Sequence, residues 1–199
     1  MVVPTQLEAS YFWKTWSRHQ VRCLVVLHER DAPKVSAIKR FFHAEGILCA
    51  IRLSSTDIYE KRYYELIWDM WALLKDEKKS NPDLETKWFA VGDDDTLWFL
   101  ENLLIHLEPL RHTEPIYLGD ISESLSARQS YGSDFAYGGG GVILSQELIS
   151  RLEKTSRNCD IKNTGIGGDA ILGQCIRKLN LYLTRNSYFH QMDFYMDAT

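Results

Sequence analysis

Short apolar runs alternate with amphipathic helical segments along most of the chain. The runs "VRCLVVL" (21–27) and "ILCAIRL" (47–53) are rich in leucine and β-branched residues, as are strands that are buried on both faces. The segment between them, 31–46, has its apolar residues at helical spacing and ends at a glycine. A strand, a helix and a strand in this order predict two parallel strands joined by a helical crossover. We therefore expect an α/β fold with a mostly parallel central sheet and helices on both faces.

The same alternation continues to the end of the chain. Further strands are predicted over 87–91, 115–120 and 134–145, and further helices over 58–76, from about 96 onwards, over 146–154 and over 168–180. Ser145 lies where it could cap the helix that follows it. The sequence has no internal repeat and no linker, so residues 1–199 are predicted to form a single domain.

Composition and charge exclude several classes of protein. The apolar fraction is 45%, the charged fraction is 25% and the net charge is −4, with the basic residues dispersed along the chain. Nothing in this pattern predicts a nucleic-acid partner. The chain also lacks the roughly 18–20 uninterrupted apolar residues of a membrane span, and it lacks the pattern of a signal peptide. We expect contact with a membrane only through an anchor absent from this chain.

The four cysteines form no CxxC pair, which argues against a structural zinc site. Cys23 and Cys49 lie inside apolar runs and are interpreted as small buried free thiols. Cys159 and Cys175 flank a glycine-rich turn, and either free thiols or a disulfide that closes a short loop is compatible with this spacing.

Three adjacent carboxylates, Asp93, Asp94 and Asp95, follow the predicted strand 87–91. One of them could cap a helix that begins near Thr96, but a cap needs only one carboxylate. In open α/β sheets, ligands bind beyond the carboxyl ends of the strands. Hard divalent cations there take one or two carboxylates together with phosphate oxygens. We therefore favour a metal–phosphate site and keep the helix cap as the alternative.

Three further features have both an ordinary and a functional interpretation. The run "GGGG" (138–141) is either a tight bend or a wall where backbone approaches a ligand closely, and it does not match a phosphate-binding loop. Asp169, in "GIGGDAILG", is either a helix cap or a general base at a helix N-terminus. His190, in "YFHQMD", is a core or surface residue unless it converges on the aspartates. The sequence has no GxSxG or HExxH motif, so nucleophilic hydrolysis has no support.

An ordered set of segments over roughly the last 115 residues resembles the fringe-type β-1,3-glycosyltransferases, and most closely the fringe-like branch of plants and fungi. The segments are "KWFAVGDDDT" (87–96), "IYLG" (116–119), "FAYGGGGVILS" (135–145), "GGDAILGQCI" (167–176) and "YFHQMD" (188–193). The resemblance implies a GT-A-like fold with a mostly parallel, mixed sheet, here without the family's first strand. It implies a single fringe-like glycosyltransferase domain over 1–199, truncated at both ends.

The activity implied by the resemblance is that of an inverting, metal-dependent glycosyltransferase. Such an enzyme transfers a sugar from a UDP-sugar donor to a hydroxyl of a glycan or glycoprotein acceptor with β linkage, and it uses Mn²⁺ or Mg²⁺. Asp169 matches the family's catalytic base, and Asp95 matches the direct metal ligand, with Asp93 and His190 completing the metal site. The donor-binding residues implied are Asp93, Asp94, Tyr137, Gly138, Gly139 and Gly140.

The resemblance also implies a location in the Golgi or secretory lumen, in a type II membrane protein at full length, and it favours a disulfide between Cys159 and Cys175. Two alternatives stay open. The chain could be a catalytically inactive fringe-like binding module or a truncated copy, or a metal-dependent phosphohydrolase that uses the same aspartates.

Overall fold

The computed structural model describes residues 16–80, 86–122, 124–131, 134–155 and 167–191. The strands are β1 (Val21–His28), β2 (Leu48–Ser54), β3 (Trp88–Val91), β4 (Tyr117–Gly119), β5 (Val142–Ser145) and β6 (Thr184–Arg185). The α-helices are α1 (Val35–Ala44), α2 (Tyr59–Ser80), α3 (Leu100–Leu107), α4 (Leu125–Tyr131), α5 (Gln146–Thr155) and α6 (Gly168–Arg177). Short 3-10 helices occupy Arg18–Gln20, Glu29–Lys34 and Gly138–Gly140.

The six strands form one mixed sheet in the order β2-β1-β3-β5-β4-β6. Strand β1 pairs in parallel with both β2 and β3, and β4 pairs in parallel with β6. Strand β5 runs antiparallel to its two neighbours, β3 and β4. The predicted α/β fold with a mostly parallel, mixed sheet is confirmed. The absence of the family's first strand stays a prediction.

Helices cover both faces of this sheet, and the strands alternate their side chains between two apolar layers. In β1, Leu24 packs in the layer formed with α2, α5 and α6, whereas Val25 packs in the layer formed with α1 and α3. Strand β3 follows the same rule, with Phe89 on the first side and Trp88 on the second. This two-sided burial is the reason that β1, β3 and β5 are nearly continuous apolar runs in the sequence. The prediction that 47–53 is buried on both faces is wrong, because β2 is an edge strand in which Leu48 and Leu53 are each 40% exposed.

The sheet brings two of the sequence motifs to one edge. Because β5 is antiparallel to β3, the residues that precede β5 lie beside the residues that follow β3. Val91, the last residue of β3, pairs with Val142, the first residue of β5. The three aspartates after β3 and the four glycines before β5 are therefore neighbours, although about 45 residues separate them in the sequence.

The cysteines correct one interpretation from the sequence. Cys23 and Cys49 form a disulfide, and their Cα atoms are 4.2 Å apart. They are register partners in β1 and β2, so their side chains point to the same face of the sheet. The interpretation of these residues as free thiols is wrong. Cys175 is also disulfide-bonded, but Cys159 lies outside the described residues, so their pairing stays a prediction.

None of the helices in the described residues is both long enough and apolar enough to cross a membrane.

Candidate active site

The three aspartates lie on a turn that we call the aspartate turn, Gly92 to Thr96. Its geometry depends on Thr96, whose Oγ1 accepts a hydrogen bond of 2.8 Å from the Asp93 N–H. The Thr96 N–H in turn donates to the Asp93 carbonyl oxygen at 3.2 Å. Helix α3 begins only at Leu100, and its N-cap residue Phe99 makes no side-chain capping bond. The alternative in which an aspartate caps this helix is therefore wrong.

The turn presents its carboxylates to solvent. Asp94 and Asp95 are exposed, and Asp93 is half-buried. A hydrogen bond to Asp31 is the main cause that raises the pKa of the Lys34 ammonium, and the charge of Asp94 raises it further. Lys34 ends the 3-10 helix that follows β1, so Asp94 faces the chain at the end of the neighbouring parallel strand. The turn lies at the edge where ligands of open α/β sheets bind.

The carboxylate oxygens at this turn fit one kind of metal site. Within the part of the chain that the structure describes, no group of three or more His, Cys, Asp and Glu side chains is placed to hold a metal ion. A cage built from protein ligands alone is therefore not formed there. Two exposed carboxylates suit a hard divalent cation whose other ligands are phosphate oxygens and water. His190 is exposed, and its role as a metal ligand stays a prediction.

The four glycines, which we call the glycine run (Gly138–Gly141), make a bend at the entrance to β5. Gly138–Gly140 forms one 3-10 turn, and Gly141 has a φ of 80°, in the left-handed region that favours glycine. A Cβ at Gly141 would also collide with the indole ring of Trp98. Trp98 follows the aspartate turn, so this contact packs the turn segment against the glycine run. The tight-bend interpretation is confirmed.

The glycine run also contacts the segment around His190. A Cβ at Gly140 would lie 3.4 Å from the carbonyl carbon and oxygen of His190, and a Cβ at Gly139 would lie 3.1 Å from the Gln191 side chain. The ring of Phe189 packs edge-on against Trp98, with centroids 6.4 Å apart. Close approach to these glycines thus comes from the protein's own chain. Contact of a donor with Gly138, Gly139, Gly140 or Tyr137 stays a prediction.

Asp169 is held at the other end of the glycine run. Its Oδ2 accepts a hydrogen bond of 2.8 Å from the Gly138 N–H, and its Oδ1 accepts one of 2.8 Å from the Ala170 N–H. The N-cap residue of α6 is Gly167, with no side-chain capping bond, so the interpretation of Asp169 as the cap is wrong. A Cβ at Gly167 would collide with the Asp169 carboxylate, which explains the glycine that precedes the helix.

The surroundings of Asp169 suit a group that exchanges protons. Burial raises the pKa of its carboxyl, and the hydrogen bonds from the Gly138 and Ala170 N–H groups offset part of that rise. A general base works best when its pKa is near the operating pH. A raised pKa moves a carboxylate in that direction, and the half-buried position leaves one side of it open.

Three residues that the sequence did not identify complete the site. Trp98 contacts Gly141, as described above. Tyr117, on β4, is buried, and its Oη accepts a hydrogen bond of 2.8 Å from the Ala136 N–H. The Tyr63 Oη lies 3.2 Å from where a Cβ at Gly138 would be. Tyr117 lies inside the quoted motif "IYLG", but its burial against a segment 19 residues away has no signature in sequence spacing.

The sequence model of the family described as Fringe-like matches residues 12–198. The chain belongs to the fringe-like family. Its membership of a plant and fungal branch stays a prediction.

Curated relatives of this fringe-like chain are glycosyltransferases by name. The chain is similar to human beta-1,3-glucosyltransferase, with 31% identity over 112 residues, which cover 54% of this chain and 21% of that protein. It is also similar to glycoprotein-N-acetylgalactosamine 3-beta-galactosyltransferase 1 of Xenopus laevis, with 32% identity over 97 residues, covering 49% of this chain and 26% of that protein. The matched parts therefore span about a fifth to a quarter of these relatives.

A solved structure supports the fold assignment. It is the crystal structure of a glycosyltransferase involved in the glycosylation of the major capsid of PBCV-1. The TM-score is 0.57 at 10% sequence identity, and the match covers 83% of this chain and 81% of that one. The predicted GT-A-like architecture of the fringe-like chain is confirmed.

Proposed function

We propose that this fringe-like protein is an inverting glycosyltransferase that forms a β-1,3 linkage between a UDP-sugar donor and a hydroxyl of a glycan or glycoprotein acceptor. The observation that carries the proposal is the convergence of three other segments on the glycine run. Gly138 binds the Asp169 carboxylate, Gly140 packs on His190, and Gly141 packs on Trp98 next to the aspartate turn. Family membership and the names of the relatives support the same class of reaction.

In this proposal, the aspartate turn binds the diphosphate side of the donor. Asp95 would hold Mn²⁺ or Mg²⁺ together with phosphate oxygens of the donor, and Asp93 and His190, which form no three-ligand group with Asp95 among the described residues, would join it when the donor binds. Asp94, Tyr137 and the glycines 138–140 would contact the sugar nucleotide. When bound, the cation would offset the charge that builds on the departing diphosphate. The exposed carboxylates at the edge of the sheet support this assignment, because an exposed pair leaves room for phosphate oxygens.

Asp169 would act as the general base. The acceptor hydroxyl oxygen forms a bond to the anomeric carbon while the bond from that carbon to the diphosphate oxygen breaks. The hydroxyl proton passes to the Asp169 carboxylate, and UDP leaves with the bonding electron pair. Attack in line with the departing group inverts the anomeric configuration. The N–H groups of Gly138 and Ala170 fix the carboxylate for this transfer.

We also propose that the protein works in an oxidising compartment, the secretory lumen or Golgi, where a full-length form would be held by a membrane anchor. The disulfide between Cys23 and Cys49 supports this location, because such bonds persist in the secretory pathway and are rare in the cytosol. Mass spectrometry of the alkylated, unreduced protein from a secretory host should find both residues unmodified. Alkylation of both thiols in that material would contradict the proposal.

A thermal-shift screen with UDP-sugars and Mn²⁺ tests the main proposal. Because a ligand stabilises only the state that binds it, one donor should raise the midpoint of unfolding by several degrees, and chelation of Mn²⁺ should remove the shift. The protein should then release UDP only when both that donor and a sugar acceptor are present. Absence of a shift with every UDP-sugar, or an unchanged shift in Asp95→Ala, would count against the proposal.

The second candidate function is a fringe-like binding module that takes up a nucleotide sugar without transferring it. What supports it is that binding of a cation and a diphosphate needs only the exposed carboxylates of Asp94 and Asp95 and no proton transfer at Asp169. It predicts a thermal shift without UDP release. Measured UDP release that disappears in Asp169→Asn would exclude it, whereas hydrolysis of phosphate esters without an acceptor would favour a phosphohydrolase.

A further inference from the structure

The segment Ala136 to Gly138 is attached to its surroundings through three consecutive backbone N–H groups. The Ala136 N–H donates to the Tyr117 Oη at 2.8 Å, and the Tyr137 N–H donates to the Asp120 carbonyl oxygen at 3.1 Å. The Gly138 N–H donates to the Asp169 Oδ2 at 2.8 Å. The tyrosine hydroxyl and the aspartate carboxylate therefore bind the same short segment, two residues apart.

We propose that Tyr117 is a positioning residue for Asp169 and acts on its carboxylate through the backbone of Ala136 to Gly138. The inference rests on the proposed function, in which Asp169 is the general base. Tyr117 has no direct part in the reaction, since its hydroxyl is turned to Ala136 and its side chain is 2% exposed.

The hydroxyl of Tyr117 supplies a hydrogen-bond acceptor, which the apolar part of the ring cannot do. Ala136 is fully buried, so its N–H has no access to water and depends on the phenol oxygen as its acceptor. A buried donor left without an acceptor destabilises the arrangement around it. The phenol stays neutral, because burial raises its pKa and the nearby charge of Asp169 raises it further. It can therefore accept the hydrogen bond without bringing a second negative charge close to the base.

The other neighbours of the segment limit how it can relax when that bond is lost. A Cβ at Gly138 would lie 3.2 Å from the Tyr63 Oη and 3.5 Å from the Asp169 Cβ, so Gly138 is confined between the two side chains. Phe135, which precedes the segment, is confined as well, because a Cβ at Gly173 of α6 would collide with it. A displacement at Ala136 is thus passed along the chain to Gly138 and its carboxylate partner. Displacements of about 1 Å at reacting groups can lower rates by about 100-fold.

The test compares Tyr117→Phe with the parent protein by two measurements. The first is amide hydrogen exchange at Ala136 and Gly138, followed by NMR. The second is the kcat and KM for UDP release with whichever of UDP-glucose, UDP-galactose or UDP-N-acetylglucosamine the parent turns over. We expect both amides to exchange about 10-fold faster or more, and kcat to fall by about 10-fold, with the donor KM changed less than twofold.

Ser145→Ala is the matched control. Ser145 is fully buried at the other end of β5, and its hydroxyl accepts hydrogen bonds from Ile116 and Leu148 N–H groups at 2.9 Å and 3.2 Å. The same hydroxyl donates to the Glu114 carbonyl oxygen at 2.7 Å. Its loss therefore removes buried hydrogen bonds close to Tyr117 in the chain but leaves the bond between Tyr117 and Ala136 in place. We expect this variant to melt at a lower temperature while its kcat and the Gly138 exchange rate stay at parent values.

Two results would overturn the inference: unchanged Gly138 exchange and kcat in Tyr117→Phe, or an equal loss of kcat in Ser145→Ala. If Tyr117→Phe does not fold, 3-fluorotyrosine can replace Tyr117, because it keeps the hydroxyl and weakens it as an acceptor. The amide exchange rates and kcat should then change in the same directions by smaller factors. If the parent releases no UDP from any donor, the proposed function fails, while the exchange comparison at Gly138 still decides the role of Tyr117.

Discussion

Asp94 and Asp95 lie exposed on the aspartate turn, whose shape is set by hydrogen bonds between Asp93 and the hydroxyl and N–H of Thr96. Asp169 lies half-buried, with a backbone N–H on each of its two carboxylate oxygens and glycines on two sides. Both groups belong to the same edge of one sheet, yet the Asp169 carboxylate is bound by backbone N–H groups, whereas the carboxylates of Asp94 and Asp95 are open to solvent.

The difference follows from what each carboxylate is proposed to do. A base must be aligned before its substrate arrives, because the rate depends on its position relative to the hydroxyl. A carboxylate that shares a cation with phosphate must leave oxygens free, and it gains its final geometry from the ligand. The contrast predicts that changes at Asp169 act on kcat, whereas changes at the turn act on ligand affinity.

The largest effect is expected from Asp169→Asn. Asparagine keeps an oxygen that can accept the Gly138 N–H bond but cannot take a proton from the acceptor. The kcat for UDP release should fall by about 10²–10⁴-fold, while the affinity for the donor stays within about twofold. Steady-state kinetics with calorimetry of donor binding measures both.

Asp69→Asn is the control for that prediction. Asp69 is another carboxylate whose pKa is raised by burial, but it pairs with Arg52 at 2.6 Å, away from the glycine run. The kcat of the Asp69→Asn variant should stay near the parent value. Equal losses in the two variants would show that burial of a carboxylate, and not proton transfer at Asp169, explains the effect.

Asp95→Ala should act on binding. Loss of a metal ligand should weaken Mn²⁺-dependent binding of UDP by about 100-fold or more, because even residues that only support a ligand are worth 10–100-fold. The midpoint of thermal unfolding without ligand should hardly change, since the side chain is exposed. Glu101→Ala, which removes an exposed carboxylate bound to Arg18, should leave UDP affinity unchanged. Tight UDP binding by Asp95→Ala would show that the aspartate turn is not part of the donor-binding site.

Gly141→Ala tests the contact that joins the two regions. Gly141 combines a φ of 80° with a ψ of 153°, a conformation that costs a non-glycine residue about 1–3 kcal/mol, and the collision with Trp98 should add about 1–3 kcal/mol. Gly46→Ala is a matched control, because Gly46 has a φ of 78° and its nearest neighbour would lie 3.5 Å from a Cβ. Denaturant unfolding should show the larger loss of stability for Gly141→Ala. Equal losses would mean that Trp98 moves freely and does not couple the turn to the glycine run.

The smallest effect is the contribution of Asp169 to the pH dependence of stability, which the comparison of the parent with Asp169→Asn isolates. Burial raises its pKa above the ordinary value of 3.8, so the folded protein binds this proton more tightly than the unfolded chain does. The contribution of Asp169 to the free energy of unfolding is therefore greatest at low pH and is lost as pH rises through the folded pKa. Asp169→Asn does not titrate, so its stability relative to the parent should increase across that window.

The rate should change in the opposite sense over the same window, because only the ionised base accepts a proton. We expect kcat/KM of the parent to rise with pH through the folded pKa. Tyr117 does not titrate there, since burial raises its own pKa. A stability difference that is flat with pH would contradict the raised pKa of Asp169.

The sequence predicted the parts of this molecule that depend on periodicity. The apolar runs of β1 and β2 and the helical spacing in α2 follow from burial of one or two faces, so their positions are visible without the structure. Ser145 was likewise correctly predicted as a cap, and it accepts a bond from the Leu148 N–H. The start of α3 was misplaced because Thr96 has the chemistry of a helix start but bonds back to Asp93.

Features that depend on which distant segments meet could not be predicted in this way. The bond between Cys23 and Cys49 follows from strand register, which the spacing of two cysteines does not encode. The contacts of Trp98 and Tyr117 depend on an antiparallel strand that the alternation of helices and strands did not indicate. Asp169 and His190 were singled out from their local sequence and assigned their roles through resemblance, and those roles remain predictions.

The disulfide between β1 and β2 encloses one complete strand–helix–strand unit, since its cysteines are 26 residues apart and α1 lies between them. All of this unit precedes the residues of the glycine run and Asp169 in the chain. During synthesis it is therefore available for oxidation before the catalytic edge exists, and a chain that has acquired the bond keeps this closed loop even when everything after it is unfolded. The bond thus links two of the six strands covalently, and these are the strands that β3 to β6 extend when they pair beside β1.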